Sequence, residues 1–429
     1  MDSDWTQIGL RLDSDWTQIG LTERQSTLDE SLSAFCQREV VLSNNSYWSN
    51  SDGIDIENGR VTATNSTIET EILNVNADER FSACFEMSGG SLVVAENPSG
   101  NYSGSSPGSL SVRGGKFHVT NDAIVDLQAT FSVGETNLSN ITAPIPNELS
   151  DIKISGGSKL KANSLNVEAG VGDSRITVTG ADSAINVTAT VFFDTDSFVF
   201  PTAGEIGVEV LDGASLTGES IFLAGGATFV QVAENGYLAA DQFVTVASGA
   251  NLEIGVDGSL RASVLDLSLS PGEIELSGRL DIDEVKGSLD QLGGVLEFGQ
   301  NLGVTVFEND YELGDAASIE FDIHGLLRGE DYGSVSILGL AELDGVLDIN
   351  FVSGFNANLG DTFQLFEGQI MGDYTFDFSD ALLNKGLAFD TSEFDKTGFI
   401  AVVSAIPEPN SAAAICFLLP FLCVGRRRI

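Results

Sequence analysis

The groups able to move protons in this chain are two histidines and 63 carboxylates. His118, in GKFHVT, and His324, in FDIHGL, stand 206 positions apart, each among residues of strand type. Triad chemistry needs an imidazole fixed beside a nucleophile and oriented by a third group. Neither segment supplies that pattern, so both histidines read as surface or turn residues. Paired carboxylates are the machinery of glycoside hydrolysis, but among so many acids close pairs arise by chance. A specific calcium site has little to stand on: no EF-hand loop and no G-G-x-G-x-D repeat of calcium β-rolls occurs. SDGIDIENG (51–59) gathers acids, but only once. No catalytic residue, metal site or cofactor is expected.

Four cysteines complete the reactive groups. Cys36 and Cys84 lie in the body; Cys416 and Cys423 lie in an apolar run. None has metal-ligand spacing. A Cys36–Cys84 disulfide is open to the chain in an oxidising compartment, and two free thiols are the alternative.

The formal charge is −43, with Lys+Arg at 20. A body this acidic repels nucleic acid and anionic lipid, so no nucleic-acid partner is expected. Hydrophobic content of 42% is enough for a core, and 47 glycines against 9 prolines indicate many turns. A length of 429 suits two or three domains or one elongated repeat domain.

From about residue 40 to 320 the pattern is short alternating runs broken by Gly, Asn, Asp and Ser. GRVTATNSTIE, GSLVVAE, SRITVTG and ANLEIGV are examples, the last with Leu252, Ile254 and Val256 on one face. Period two with frequent turns predicts β-strands. Leu216, Leu238 and Leu260 are each 22 apart, as are Ile221, Phe243 and Leu265. The same apolar pair five positions apart recurs at Leu160/Leu165 and Leu280/Val285. GGATFVQV (225–232) and SGANLEIGV (248–256) supply a second strand per repeat. A repeat this short, with two or three strands, predicts a β-solenoid in which stacked repeats bury one continuous core. An antiparallel β-sandwich is the rival, and the repeated register favours the solenoid.

The predicted fold is therefore all-β. A tail, 1–35, carries DSDWTQIGL twice, at 2–10 and 13–21; a solenoid, parallel β-helix-like, follows over 36–325. From 326 to 404 the strands are longer and cleaner, as in LDGVLDINF, and a C-terminal β-module over that range would cover the last exposed edge. Residues 405–429 hold one short hydrophobic helix. The duplicated segment has no basic n-region and no apolar h-region, so it is not read as a secretory signal.

That last segment reads IPEPNSAAAICFLLPFLCVGRRRI. Its apolar run, Ala412 to Gly425, is 14 residues. As a helix it spans about 21 Å, short of a hydrocarbon core of about 30 Å. Pro420 interrupts it, and three arginines follow, which favours a cytoplasmic location for them.

Pro-Glu-Pro, a short apolar helix and an arginine cluster, in that order, resemble the PEP-CTERM sorting signal of bacterial surface proteins. The resemblance implies recognition of Pro407, Glu408 and Pro409 by an exosortase, a membrane enzyme that is transpeptidase-like. It implies a transient membrane segment containing Ala412, Ile415, Phe417, Leu418, Leu419, Phe421, Leu422 and Val424. Arg426, Arg427 and Arg428 would be the retention charges. YGSVSILGLAELDGVLDINFVSGFNANLGDTFQLFEG and GLAFDTSEFDKTGFIAVVSAIPEP look like the β-rich module that precedes such tails. The repeats are similar to autotransporter-type β-strand repeats. Family members ordinarily carry an N-terminal signal peptide; its lack here leads to the expectation of a different natural start. The implied role is an exported structural or adhesive protein of the cell envelope or extracellular matrix, with a single-pass inner-membrane intermediate and extracellular polysaccharide as a candidate partner. The alternative is a polysaccharide lyase or hydrolase on a parallel β-helix, an analogy of fold alone.

Overall fold

The structure is a computed structural model describing residues 18–21, 38–43, 45–50, 54–56, 59–76, 83–95, 108–134, 149–168, 172–195, 204–269, 273–298 and 303–405. Among these residues nearly everything ordered is β. One sheet contains 32 strands, and a second contains three. The single α-helix, Phe394–Thr397, is four residues long.

Local sequence explains the strands. In Ser174–Thr179 the apolar Ile176 and Val178 are buried while Arg175 and Thr177 face out. The same alternation runs through Ser150–Ser155, Lys159–Ala162 and Ser164–Glu168. Because side chains alternate with period two, pairing in register keeps every apolar residue on the same side.

The large sheet pairs strands in parallel throughout, and its register is clearest along one column. Trp48, Ile68, Leu92, Val125, Leu160, Ile185 and Leu216 are successive partners. Leu238, Leu260, Leu280, Leu296, Ile319, Leu347 and Phe376 continue it. All but Phe376 are fully or almost fully buried, and Phe376 packs on the same core. The spacing of 22 expected from Leu216, Leu238 and Leu260 is thus a real register. Elsewhere the step between partners ranges from 16 (Leu280 to Leu296) to 35 (Val125 to Leu160).

Two expectations are corrected. Phe243 does not join the column of Ile221 and Leu265: Val244 occupies that position and pairs with both. An irregularity between Ala240 and Phe243 shifts the register. Phe243 consequently faces outward at 40% exposure, while Val244 is fully buried. Val256 does not share the buried face of Leu252 and Ile254; it is 68% exposed, leading into a turn where Asp257 has φ 61°.

Tight corners need residues that tolerate positive φ. Gly90 has φ 83°, and a Cβ there would lie 2.1 Å from the Ser66 carbonyl oxygen of the preceding strand. Asn121 and Asp122 both adopt φ 59° at the next corner, where Asn121 Nδ2 donates to Ser88 Oγ at 2.7 Å.

The parallel sheet continues past residue 326 through Ser334–Leu343, Val346–Phe351, Phe366–Met371 and Thr375–Asp377. Beside it Thr362–Gln364, Phe399–Ser404 and Leu387–Asp390 form the antiparallel three-stranded sheet. The amides of Leu365 and Phe366 donate to the Gly398 carbonyl at 2.9 and 3.2 Å, tying the two sheets together. Phe351, Phe355, Phe363 and Phe389 pack their rings at this end, centroids 5.2 to 6.1 Å apart. Arg328 pins the same region: its Nε donates to Ser334 Oγ at 2.7 Å, and its Nη1 to Gln364 Oε1 at 3.0 Å and Glu367 Oε2 at 2.9 Å. Among the described residues no helix is long and apolar enough to cross a membrane.

Candidate functional site

The buried column fixes what stands outside it. The residue that follows each buried member points outward, and over the last five strands that residue is an acid. Asp281, Glu297, Glu320, Asp348 and Asp377 are successive register partners. Parallel strands lie about 4.8 Å apart, so like charges repeat at that spacing. Asp322, two residues after Glu320, faces the same side.

Repulsion and partial burial act together here. Glu320 is pushed up to about 7, first by burial, then by Asp322 and by Glu297, which also hydrogen-bonds to it, and by Asp348. Burial also raises Asp348, with Asp377, Asp380 and Asp322 adding to it. Both follow the rule that desolvation and nearby like charge favour the neutral acid. The first two members are offset by cations: Arg261 Nε lies 3.5 Å from Asp281 Oδ2, and Arg279 pairs with Glu297. Glu320 accepts a hydrogen bond from Asn350 Nδ2 at 2.9 Å, whereas Asp348 Oδ1 is buried with no hydrogen-bond partner.

Chemically, this column can keep a proton on Glu320 near neutral pH among neighbouring acidic side chains, the arrangement acid–base catalysis uses. It can also hold a loose layer of counter-ions. Among the described residues no group of three or more His, Cys, Asp or Glu side chains could hold a metal ion.

The other residues singled out from sequence are scattered. His118 Nε2 lies 3.1 Å from Asp151 Oδ2 on the outward face, and His324 Nδ1 lies 3.2 Å from Ser353 Oγ in an exposed turn. His118 is on a strand and His324 follows one, and the two share no partner. Cys84 is a free thiol at 5% exposure, its Sγ 3.5 Å from Glu86 Oε1, and burial pushes it up. Cys36 lies outside the described residues, as do Pro407, Glu408, Pro409, the apolar run and Arg426 to Arg428. Of the acids in 51–59, Asp55 is described; its Oδ1 accepts from Asn74 Nδ2 at 2.5 Å.

Sequence reading did not find the carboxylate column. The signal was present: Asp281, Glu297, Glu320, Asp348 and Asp377 follow Leu280, Leu296, Ile319, Leu347 and Phe376. Steps of 16, 23, 28 and 29 between those apolar residues hide it from a search at 22.

No protein-family model, curated protein or solved structure matches the chain.

Proposed function

We propose that the chain is an exported structural or adhesive protein of a bacterial cell envelope or matrix, sorted through residues 407–428 in the manner of a PEP-CTERM signal. Its parallel sheet is read as a β-solenoid, each turn adding one rung to the buried column. The observation that supports this most is the column itself: fourteen short strands held in one register offer a long, repetitive outer face, as a matrix component requires. The exosortase, the membrane during transit and extracellular polysaccharide are the partners this reading implies.

The test is intact mass in two strains. In the wild type the mature protein should lack about the last 20 residues, because cleavage falls near the stiff Pro407–Pro409 segment. With the exosortase deleted, full-length chain should collect in the membrane fraction. Wild-type protein that keeps Arg426 to Arg428 and stays membrane-bound would refute the sorting reading.

A second reading, a polysaccharide hydrolase, has one observation in its favour: Glu320 stands between Glu297 and Asp348, half-buried and pushed up to about 7. Purified protein incubated with neutral and acidic polysaccharides distinguishes the two. New reducing ends that disappear in Glu320→Gln would establish the enzyme, and their absence leaves the structural role.

A further inference from the structure

Gly207 lacks the reasons that fix Gly90. It belongs to the strand Ile206–Leu211, between the buried Ile206 and Val208. Its pairings run from Arg175 to Gly207 and on to Phe229 with no shift of register. Its φ lies outside the left-handed region, and apart from its chain neighbours no described atom lies within 4 Å of where a Cβ would stand. Glycine inside a strand weakens it; it marks a bulge, a tight bend, or a place where a ligand or another backbone comes close. Bulge and backbone contact are both absent at Gly207, which leaves the ligand.

The buried neighbours turn this position outward, between Arg175 on one adjacent strand and Phe229 on the other. The missing side chain leaves a notch whose walls are two strand spacings apart, about 10 Å from backbone to backbone. Arg175 is exposed and has no ion pair or hydrogen-bond partner among the described residues. Phe229 is 39% exposed. Thr177, Glu209 and Gln231 form the next outward row, two residues along each strand. Thr177 Oγ1 donates to Glu209 Oε2 at 3.2 Å and Gln231 Nε2 to Glu253 Oε2 at 3.0 Å, so that row is held in place. Two residues before Arg175 and Gly207 stand Asp173 and Glu205, both exposed; the Glu205 amide donates to Asp173 Oδ1 at 2.9 Å. One strand beyond Arg175 lie Lys153 and Asp151, the latter with His118.

These groups select a ligand by chemistry. Asp151, Asp173, Glu205 and Glu209 outnumber Lys153 and Arg175, so a polyanion gains nothing here, and a cation meets the unpaired guanidinium. A neutral molecule with an apolar face and a rim of both donors and acceptors suits all of them. We propose that the notch binds one six-membered ring of a neutral polysaccharide. The ring lies over Gly207 with its C–H face against Phe229, whose π face is electron-rich. Its hydroxyl groups accept from the Arg175 guanidinium and donate to the Glu209 carboxylate. A side chain at position 207 would occupy the place of the sugar, which accounts for the glycine. The inference deepens the polysaccharide partnership proposed above and rests on that reading for the polymer alone. Sorting is read from intact mass in the host and binding from purified protein, so either can fail without the other.

Biolayer interferometry of the full chain on immobilised dextran, mannan and β-glucan tests it, in a polyoxyethylene detergent because that headgroup is not a sugar. At least one polymer should bind the parent equally well at 0.15 and 1 M NaCl, since contacts with a neutral ligand are not screened. Gly207→Thr fills the notch with a residue that strands favour; binding should fall about tenfold or more while the melting temperature holds or rises. Arg175→Ala and Phe229→Ala should each weaken binding about tenfold. Phe243→Ala removes an exposed ring away from the notch and should leave binding unchanged. A parent that binds none of the three polymers, or a Gly207→Thr variant that binds like the parent, would overturn the proposal. So would binding that 1 M NaCl removes or that only a polyuronate shows, because the ligand would then be an anion.

Discussion

Leu238 and Phe243 make the sharpest pair of substitutions. A search at a period of 22 places both in buried columns, but the structure separates them. Leu238 is fully buried between Leu216 and Leu260, and Phe243 is 40% exposed beyond a register shift. Leu238→Ala removes three carbons from a site closed above and below, and should cost about 3–5 kcal/mol, the upper part of the range for buried leucine. Phe243→Ala removes more atoms but leaves no cavity, because water already reaches the ring; it should cost about 1 kcal/mol or less. Val244→Ala, at the buried position, should cost about 2 kcal/mol. Long stacks need not unfold in one step, so a single melting temperature would blur the result. Hydrogen exchange by mass spectrometry is the better assay. Leu238→Ala should lower protection in Tyr237–Val246 and in the paired strands Ser215–Ala224 and Ser259–Asp266, with little change beyond them. If Phe243→Ala loosens those strands more than Val244→Ala, the register through the bulge is wrong.

Other consequences are as direct. Gly90→Ala should destabilise by about 2 kcal/mol or more, since it places a Cβ against the Ser66 carbonyl at a positive φ, and denaturant titration of nearby Trp48 fluorescence would show it. Glu320 holds its proton up to about 7 in the folded chain against 4.5 in the unfolded one, so its contribution to stability is full below about pH 4.5 and lost as pH rises through about 7. Thermal melts from pH 5 to 8 should therefore fall for the parent and fall less for Glu320→Gln; equal slopes would remove Glu320 as the cause. Arg328→Ala strands three acceptors and should speed exchange in Phe366–Met371, with no effect near Lys159–Ala162. Non-reduced peptide mapping of the purified protein decides whether Cys36 pairs with Cys84, and alkylation of both would exclude the bond.

Much of the β architecture was legible because alternation is a local property. SRITVTG announces its own strand, and three leucines 22 apart announce a register wherever the connections happen to be equal. The register failed to show where the chain between strands changes length, as between Leu296 and Ile319 or Leu347 and Phe376. The carboxylate column was lost for the same reason, since its members can be aligned only after their buried neighbours are. Phe243 was misplaced because a bulge inserts a residue without altering composition, and hydrophobicity alone does not distinguish Phe243 from Val244. The tail was legible in another sense: Pro407, Glu408, Pro409 and Arg426 to Arg428 are recognised by order and kind, which needs no fold.

The variable step between column residues also has a mechanical meaning. Hydrogen bonds in the sheet run along the direction in which strands stack, so a pull along that direction opens one strand at a time. Each opening releases the chain between two partners, from 16 residues at Leu280–Leu296 to 35 at Val125–Leu160. Fully extended, those segments give about 55 to 120 Å of slack, compared with about 5 Å for the rung they replace. A molecule anchored at both ends would thus lengthen in unequal, sequence-dated increments under load, yielding stepwise and dissipating work at each release.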